Sequence, residues 1–184
     1  MDALTLLLER RSCSALIGPA PEGEALETIL QAAGRVPDFF RLRPYRFIIA
    51  KGDGLAKLGG LMEEAARRSG KPAETVERAP RMPLRAPLVI VVAAIHKPHD
   101  TVSRFEQQLT AGCAVMAMQM AAVAQGFTGI WRSGWPMFDR NLHAALDLAE
   151  QDQIVGFLYL GTQKSPHVQP LPSVDMAEFV SELS

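Results

Sequence analysis

Residues 111–134 read AGCAVMAMQMAAVAQGFTGIWRSG. Gly112, Ala114, Ala117, Ala121 and Ala122 are small enough to let another backbone approach, and Met116, Met118 and Met120 are flexible enough to fill irregular gaps. The pattern predicts a helix apolar around most of its circumference, which must be covered on all sides. A core helix of one domain and a shared core in a symmetric dimer both meet that demand. Gly126 stops the helix, and a short strand, Gly129 to Arg132, then ends in Trp131-Arg132-Ser133-Gly134. Strand ends are where α/β proteins place ligands. An aromatic face, a cation, a hydroxyl and a glycine-permissive backbone together suit a planar, electron-accepting ligand. A strand-end Trp also serves as plain core packing with its indole N–H satisfied.

Outward from this block, Leu88 to Ile95 (LVIVVAAI) is nearly all apolar and β-branched, as expected of a central strand buried on both faces. Helices are expected from about Ser103 to Gln125 and from Asp139 to Leu148, and Ile154 to Leu160 reads as a closing strand before a polar tail. Towards the N-terminus, Asp2 is an N-cap for a helix over 2–10, Glu22 to Ala33 form a second helix stopped by Gly34, and Phe47 to Ala50 form a strand. Residues 55–69 form a charged helix. Pro72, Pro80, Pro83 and Pro87 interrupt 72–87, which reads as an excursion or flexible cover. The order α-α-β-α-β-α-β-α-β, with no repeat and no linker, predicts a single domain over 1–184.

A chain of 184 residues, 48% hydrophobic, is long enough to bury roughly 70% of its unfolded surface. Nineteen basic against twenty acidic residues leave a net charge of -1, so no field holds a nucleic-acid backbone. Cys13 and Cys113 show no metal spacing and build no disulfide framework. With no signal-peptide pattern, a reducing cytoplasm is expected. The apolar run Ala111 to Phe127 carries two glutamines and few Leu, Ile or Phe residues, and reads as a buried helix rather than a membrane span.

Arg10-Arg11-Ser12 joins two guanidiniums to a hydroxyl behind a helix, which suits a phosphate because Arg offers planar, charge-assisted donors. The same residues also fit a solvated basic helix C-terminus favoured by the helix dipole. Gly-rich dinucleotide fingerprints, P-loops and serine-hydrolase elbows are absent. His96 and His99 lie in a post-strand loop with nothing to complete a zinc shell, so no metal is expected.

Taken together, Arg10-Arg11-Ser12, the Arg35-x-Pro37 turn, Pro44-Tyr45-Arg46-Phe47 opening a strand, the 111–134 block and EQDQIVGFLYLGT at Glu150 to Thr162 resemble the nitroreductase family, above all its short single-domain NAD(P)H nitroreductases. The resemblance implies an α+β sandwich, a mixed central sheet flanked by helices, dimeric through a long central interface helix, with FMN held between the subunits. It implies that Arg10, Arg11 and Ser12 hold the FMN phosphate and ribityl end, that Arg35 and Phe39 line the flavin, and that Trp131, Arg132 and Ser133 form another wall. Ala121, Ala122, Val123, Ala124, Gln125 and Gly126 correspond to the family's nicotinamide-cofactor region. The implied reaction is ping-pong hydride transfer from NAD(P)H through flavin N5 to nitro-aromatic, quinone or similar conjugated acceptors, with no covalent protein catalyst because the cofactor carries the chemistry.

This chain departs from the family pattern in Phe39-Phe40-Arg41-Leu42-Arg43, where relatives carry small polar or His side chains and an amide. It departs again in Ser14-Ala15, where a further arginine is usual. The two phenyl rings would stack on or block the flavin, which keeps a second reading open: a non-catalytic protein on the same scaffold that binds flavin or another planar ligand.

Overall fold

The computed structural model describes residues 2–165 and 170–183. Helix α1 (Ala3–Glu9) starts on Asp2, whose carboxylate accepts from the Leu4 and Thr5 amides at 3.0 and 3.1 Å. Strand β1 (Leu16–Ile17), helix α2 (Gly23–Ala33), strand β2 (Tyr45–Lys51) and helix α3 (Asp53–Arg68) follow. Helix α4 (Ala73–Arg78) and two single 3-10 turns lead into β3 (Leu88–Ala94). Helix α5 (Arg104–Ala124), strand β4 (Thr128–Arg132), helix α6 (Arg140–Ala145) and strand β5 (Gln153–Gln163) complete the sandwich.

The sheet runs β1-β5-β3-β2, with β4 also paired to β5. Every pair of named strands is antiparallel, and what makes the sheet mixed is a parallel bridge between Ser12 and Gly129. All seven residues of β3 are buried, as its continuous apolar pattern requires. Its side chains alternate between two cores. Val89, Val91 and Ala93 pack with α3 and α6 through Leu58, Met62 and Leu142. Leu88, Ile90 and Val92 pack with α2 and α5 through Ile29, Ala114 and Met118. Helices thus cover both faces.

Two elements escape the sequence pattern. Two residues are too few to show the alternation that marks β1. Residues 72–87 are not a flexible cover: Ala79, Pro83 and Ala86 are buried and the segment lies against α3. Prolines broke the periodicity without preventing short turns, because Pro is tolerated at the first positions of each.

The expectation that α5 is covered on all sides is also corrected within one chain. Ser103 and Glu106 cap it reciprocally, and Gln107, Ala111, Ala114, Val115, Met118 and Ala122 bury one stripe at helical period. The opposite face stays apolar and open, with Phe105 66% and Leu109 53% exposed, and the neighbouring α1 leaves Leu4, Leu7 and Leu8 exposed as well.

His143 is buried on α6, where its Nε2 accepts from the Ile154 amide at 3.2 Å. Burial first, and the Arg140 charge second, hold its pKa below the ordinary value. A depressed histidine stabilises the fold fully above the unfolded pKa of about 6.5 and loses that contribution as pH falls. The melting temperature is therefore expected to drop between pH 7.5 and 5.5 more steeply in the native chain than in His143→Gln, and parallel slopes would refute this.

Candidate functional site

The N-terminal turn is fastened to β4 by one carbonyl. Gly129 O accepts from the Cys13 amide at 3.0 Å and from Gln119 Nε2 of α5 at 3.2 Å, beside the Ser12 bridge. A parallel bridge at residue 12 brings Arg10 and Arg11 alongside the start of β4. The two arginines line a cleft of 370 Å³ with Thr128, Thr162 and, from the end of α5, Val123 and Gly126. Gly126 ends α5 at φ 85°, a conformation that favours glycine.

Of the six residues at the end of α5, Val123 and Gly126 therefore reach the arginines. Ala122 does not, because it falls on the helix's buried stripe and is fully enclosed in the core. Gln125 is exposed, and its Nε2 donates to Ala25 O at 3.3 Å and Ala121 O at 3.1 Å, tying the end of α5 to α2. Ala121 is half-buried against the α5 core, and Ala124 is exposed.

Trp131 and Arg132 do not form one continuous side-chain wall. Strand alternation sends them to opposite faces of the sheet. Trp131, opposite Leu158, lies over Gly156 and against Gly112 of α5, and its Nε1 donates to Val155 O at 3.1 Å. A Cβ on Gly156 would stand 1.9 Å from that nitrogen, so the indole seat depends on glycine there. Arg132, opposite Phe157, points to the α3 side and sits 5.5 Å over the Tyr159 ring. With Ser133 it lines a separate cleft of 250 Å³ bounded by Arg78, Arg85 and Trp135. Sequence reasoning missed these last three, because no local pattern foretells that 72–87 packs against the end of β4.

Arg35 lines a third opening, of 460 Å³, with Asp38, Arg41, Arg43 and Tyr45. The loop behind it is strained: Phe40, Arg41 and Arg43 have φ of 61, 55 and 48°. Such residues cost of order 1 kcal/mol or more each. The Asp38 carboxylate offsets part of this by accepting from the Leu42 and Arg43 amides at 3.1 and 2.7 Å. Phe39 and Phe40 are 58% and 59% exposed, with ring centroids 4.5 Å apart, and plug none of the three clefts. Phe40 packs against His99, 4.7 Å between centroids, which gives that histidine a structural contact. Arg35 and Phe39 thus share no cleft with Arg10 or Trp131 in a single chain.

Among the described residues, no group of three or more His, Cys, Asp or Glu is placed to hold a metal ion, and no helix is long and apolar enough to cross a membrane.

A helix-covered sheet with an arginine turn locked to β4 and an indole laid on the neighbouring strand defines a nitroreductase-type α+β sandwich. The Nitroreductase family model matches residues 7–162, and the chain belongs to that family. It is 46% identical over 178 residues to the Escherichia coli (strain K12) protein named "Putative NAD(P)H nitroreductase YdjA", covering 97% of this chain and 96% of the relative. Among solved structures, a nitroreductase-like family protein from Bacillus cereus superposes with a TM-score of 0.84 at 22% identity, covering 100% of this chain and 96% of that one. A Bacteroides fragilis nitroreductase with bound FMN superposes with a TM-score of 0.76 at 20% identity, both chains covered in full.

Proposed function

We propose that this chain is a single-domain, FMN-dependent NAD(P)H oxidoreductase of the cytoplasm, working as a homodimer on nitro-aromatic, quinone or similar conjugated acceptors. The observation that carries the reading is the Ser12–Gly129 bridge, which holds Arg10 and Arg11 over a cleft edged by Thr128 and Thr162. Two guanidiniums and the Thr128 hydroxyl are a donor set for a phosphate monoester, the Thr162 hydroxyl already donating to Pro19 O at 2.8 Å, so the residues present fit the ribityl phosphate of FMN.

Arg10, Arg11 and Ser12 would hold that phosphate end. The exposed face of Trp131 would flank the ring system, with Ser133 and the main chain of Arg132 closing the strand end. About 10 Å of strand separates Gly129 from Arg132 at the usual rise per residue, a span the ribityl chain would cross. Val123 and Gly126 place the end of α5 beside the same cleft, where the nicotinamide donor would approach. Bound FMN would supply the redox chemistry, accepting hydride from NAD(P)H and passing it on, while the protein orients and shields.

Arg35 and Phe39 enter this arrangement from a second chain. The open apolar faces of α1 and α5 are where it would pair, since apolar surface of that extent marks an interaction site.

The test is the absorption spectrum of the purified protein, with light scattering on the same sample. A yellow dimer whose flavin band bleaches anaerobically with NADH or NADPH is expected. A flavin band that ignores both donors leaves only non-catalytic flavin binding. Colourless protein that FMN cannot reconstitute, or a monomer at micromolar concentration, overturns the reading.

A further inference from the structure

Residues 35–43 carry three arginines and one aspartate in a chain whose net charge is -1. Arg35, Arg41 and Arg43 all line the 460 Å³ opening, and among the described residues none of these guanidiniums makes an ion pair or a hydrogen bond. Asp38 does not neutralise them, because its carboxylate oxygens already accept from the Leu42 and Arg43 amides. Arg46, a few residues on, behaves differently: its guanidinium donates to Leu146 O and Asp147 O at 3.3 and 3.0 Å. Arg41 and Arg43 stand at φ of 55 and 48°, where glycine would be free of strain, yet the chain keeps two long cationic side chains there. Strain held at arginines on the rim of an opening is accounted for by what their side chains bind.

We propose that Arg41 and Arg43, beside Arg35, take the ribose 2′-phosphate of the nicotinamide donor, so that this chain uses NADPH in preference to NADH. The inference rests on the paired-chain NAD(P)H reading above, in which this loop accompanies Arg35 to the other chain's cleft. A phosphate monoester is close to dianionic at neutral pH, and guanidinium forks match its oxygens in charge and geometry. Dinucleotide-binding proteins tell the two donors apart by the same chemistry, an arginine at the 2′-phosphate. The opening's volume lies within the roughly 300–1,000 Å³ that takes a drug-sized group, which suits the adenosine end of a dinucleotide rather than the whole.

Calorimetric titration of the purified protein with NADP+ and NAD+, at one ionic strength and with flavin content measured on the same sample, tests this without turnover. NADP+ is expected to bind at least about tenfold tighter than NAD+, the scale of a charge-assisted hydrogen bond. In the double variant Arg41→Gly with Arg43→Gly, the loss falls on NADP+ and the preference drops to within about threefold. Glycine accepts positive φ without strain, so that variant is expected to melt within a few degrees of the native chain. Arg41→Gln and Arg43→Gln, made singly, keep a side chain and are each expected to lower the preference. Equal affinity for NADP+ and NAD+, tighter NAD+, no saturable binding of either, or a full preference in the folded variants overturns the proposal. Colourless protein that still prefers NADP+ sinks the redox reading alone, and a yellow sample bleached equally by NADH and NADPH at matched concentrations sinks this inference alone.

Discussion

Arg10→Ala is expected to weaken FMN by about ten- to a hundredfold, measured by quenching of flavin fluorescence as apoprotein is titrated. A charge-assisted hydrogen bond is worth about 1.5–3 kcal/mol, and each 1.4 kcal/mol is a factor of ten. The loss reads on binding rather than on folding. What Arg10 contributes to the fold is the main-chain bond from its N–H to Leu6 O at 3.3 Å, which alanine keeps. The melting temperature should therefore stay close to that of the native chain. Unchanged FMN affinity in a folded variant would remove the phosphate role of the 10–12 turn.

Gly59→Ala is expected to cost the fold about 2–3 kcal/mol, the upper range for overpacking a tight contact. A Cβ at Gly59 would stand 2.3 Å from the carbonyl oxygen of Pro80. That neighbour is backbone, held between buried Ala79 and Pro83, so it cannot swing aside as a side-chain tip would. At about 2–4 °C per kcal/mol for a chain of this size, the melting temperature falls by roughly 5–10 °C. Gly60→Ala is the control. It sits on the same helix with nothing within 4 Å of its Cβ, and replacing a helical glycine there is neutral or stabilising by up to about 1 kcal/mol. Equal melting temperatures for the two variants would show that the 72–87 segment yields freely.

Much of the fold was legible because it is written in periodicity. The buried stripe of α5 repeats every three to four residues, and β3 is apolar at every position. Asp2 and Gly126 marked helix ends through chemistry local to the chain, namely a carboxylate accepting from free amides and a residue at ease with positive φ. The candidate site was only partly legible. Arg10, Arg11 and Arg132 stand out by residue type. That Arg132 turns away from Trp131 follows from which face each strand position occupies, and the register with Leu158 and Phe157 sets this. Ala122 lies within the stretch expected to meet a nicotinamide donor, yet helical period turns it into the core. Arg78, Arg85 and Trp135 gave no signal at all.

By itself the sequence determined the longer helices and strands and their order, though not β1 or α4, the two-faced burial of the central strand, and the residue types able to grip a phosphate or flank a planar ring. Those properties arise from neighbours within a few residues, where backbone preference and amphipathic spacing act. Only tertiary structure decided that Gly129 ties the N-terminal turn to α5, that residues 72–87 wall a donor-rich cleft, and that Arg35 stands apart from Arg10. Each of these depends on contacts between residues tens of positions apart, and the free energy that fixes them comes from burial and pairing that no local pattern encodes.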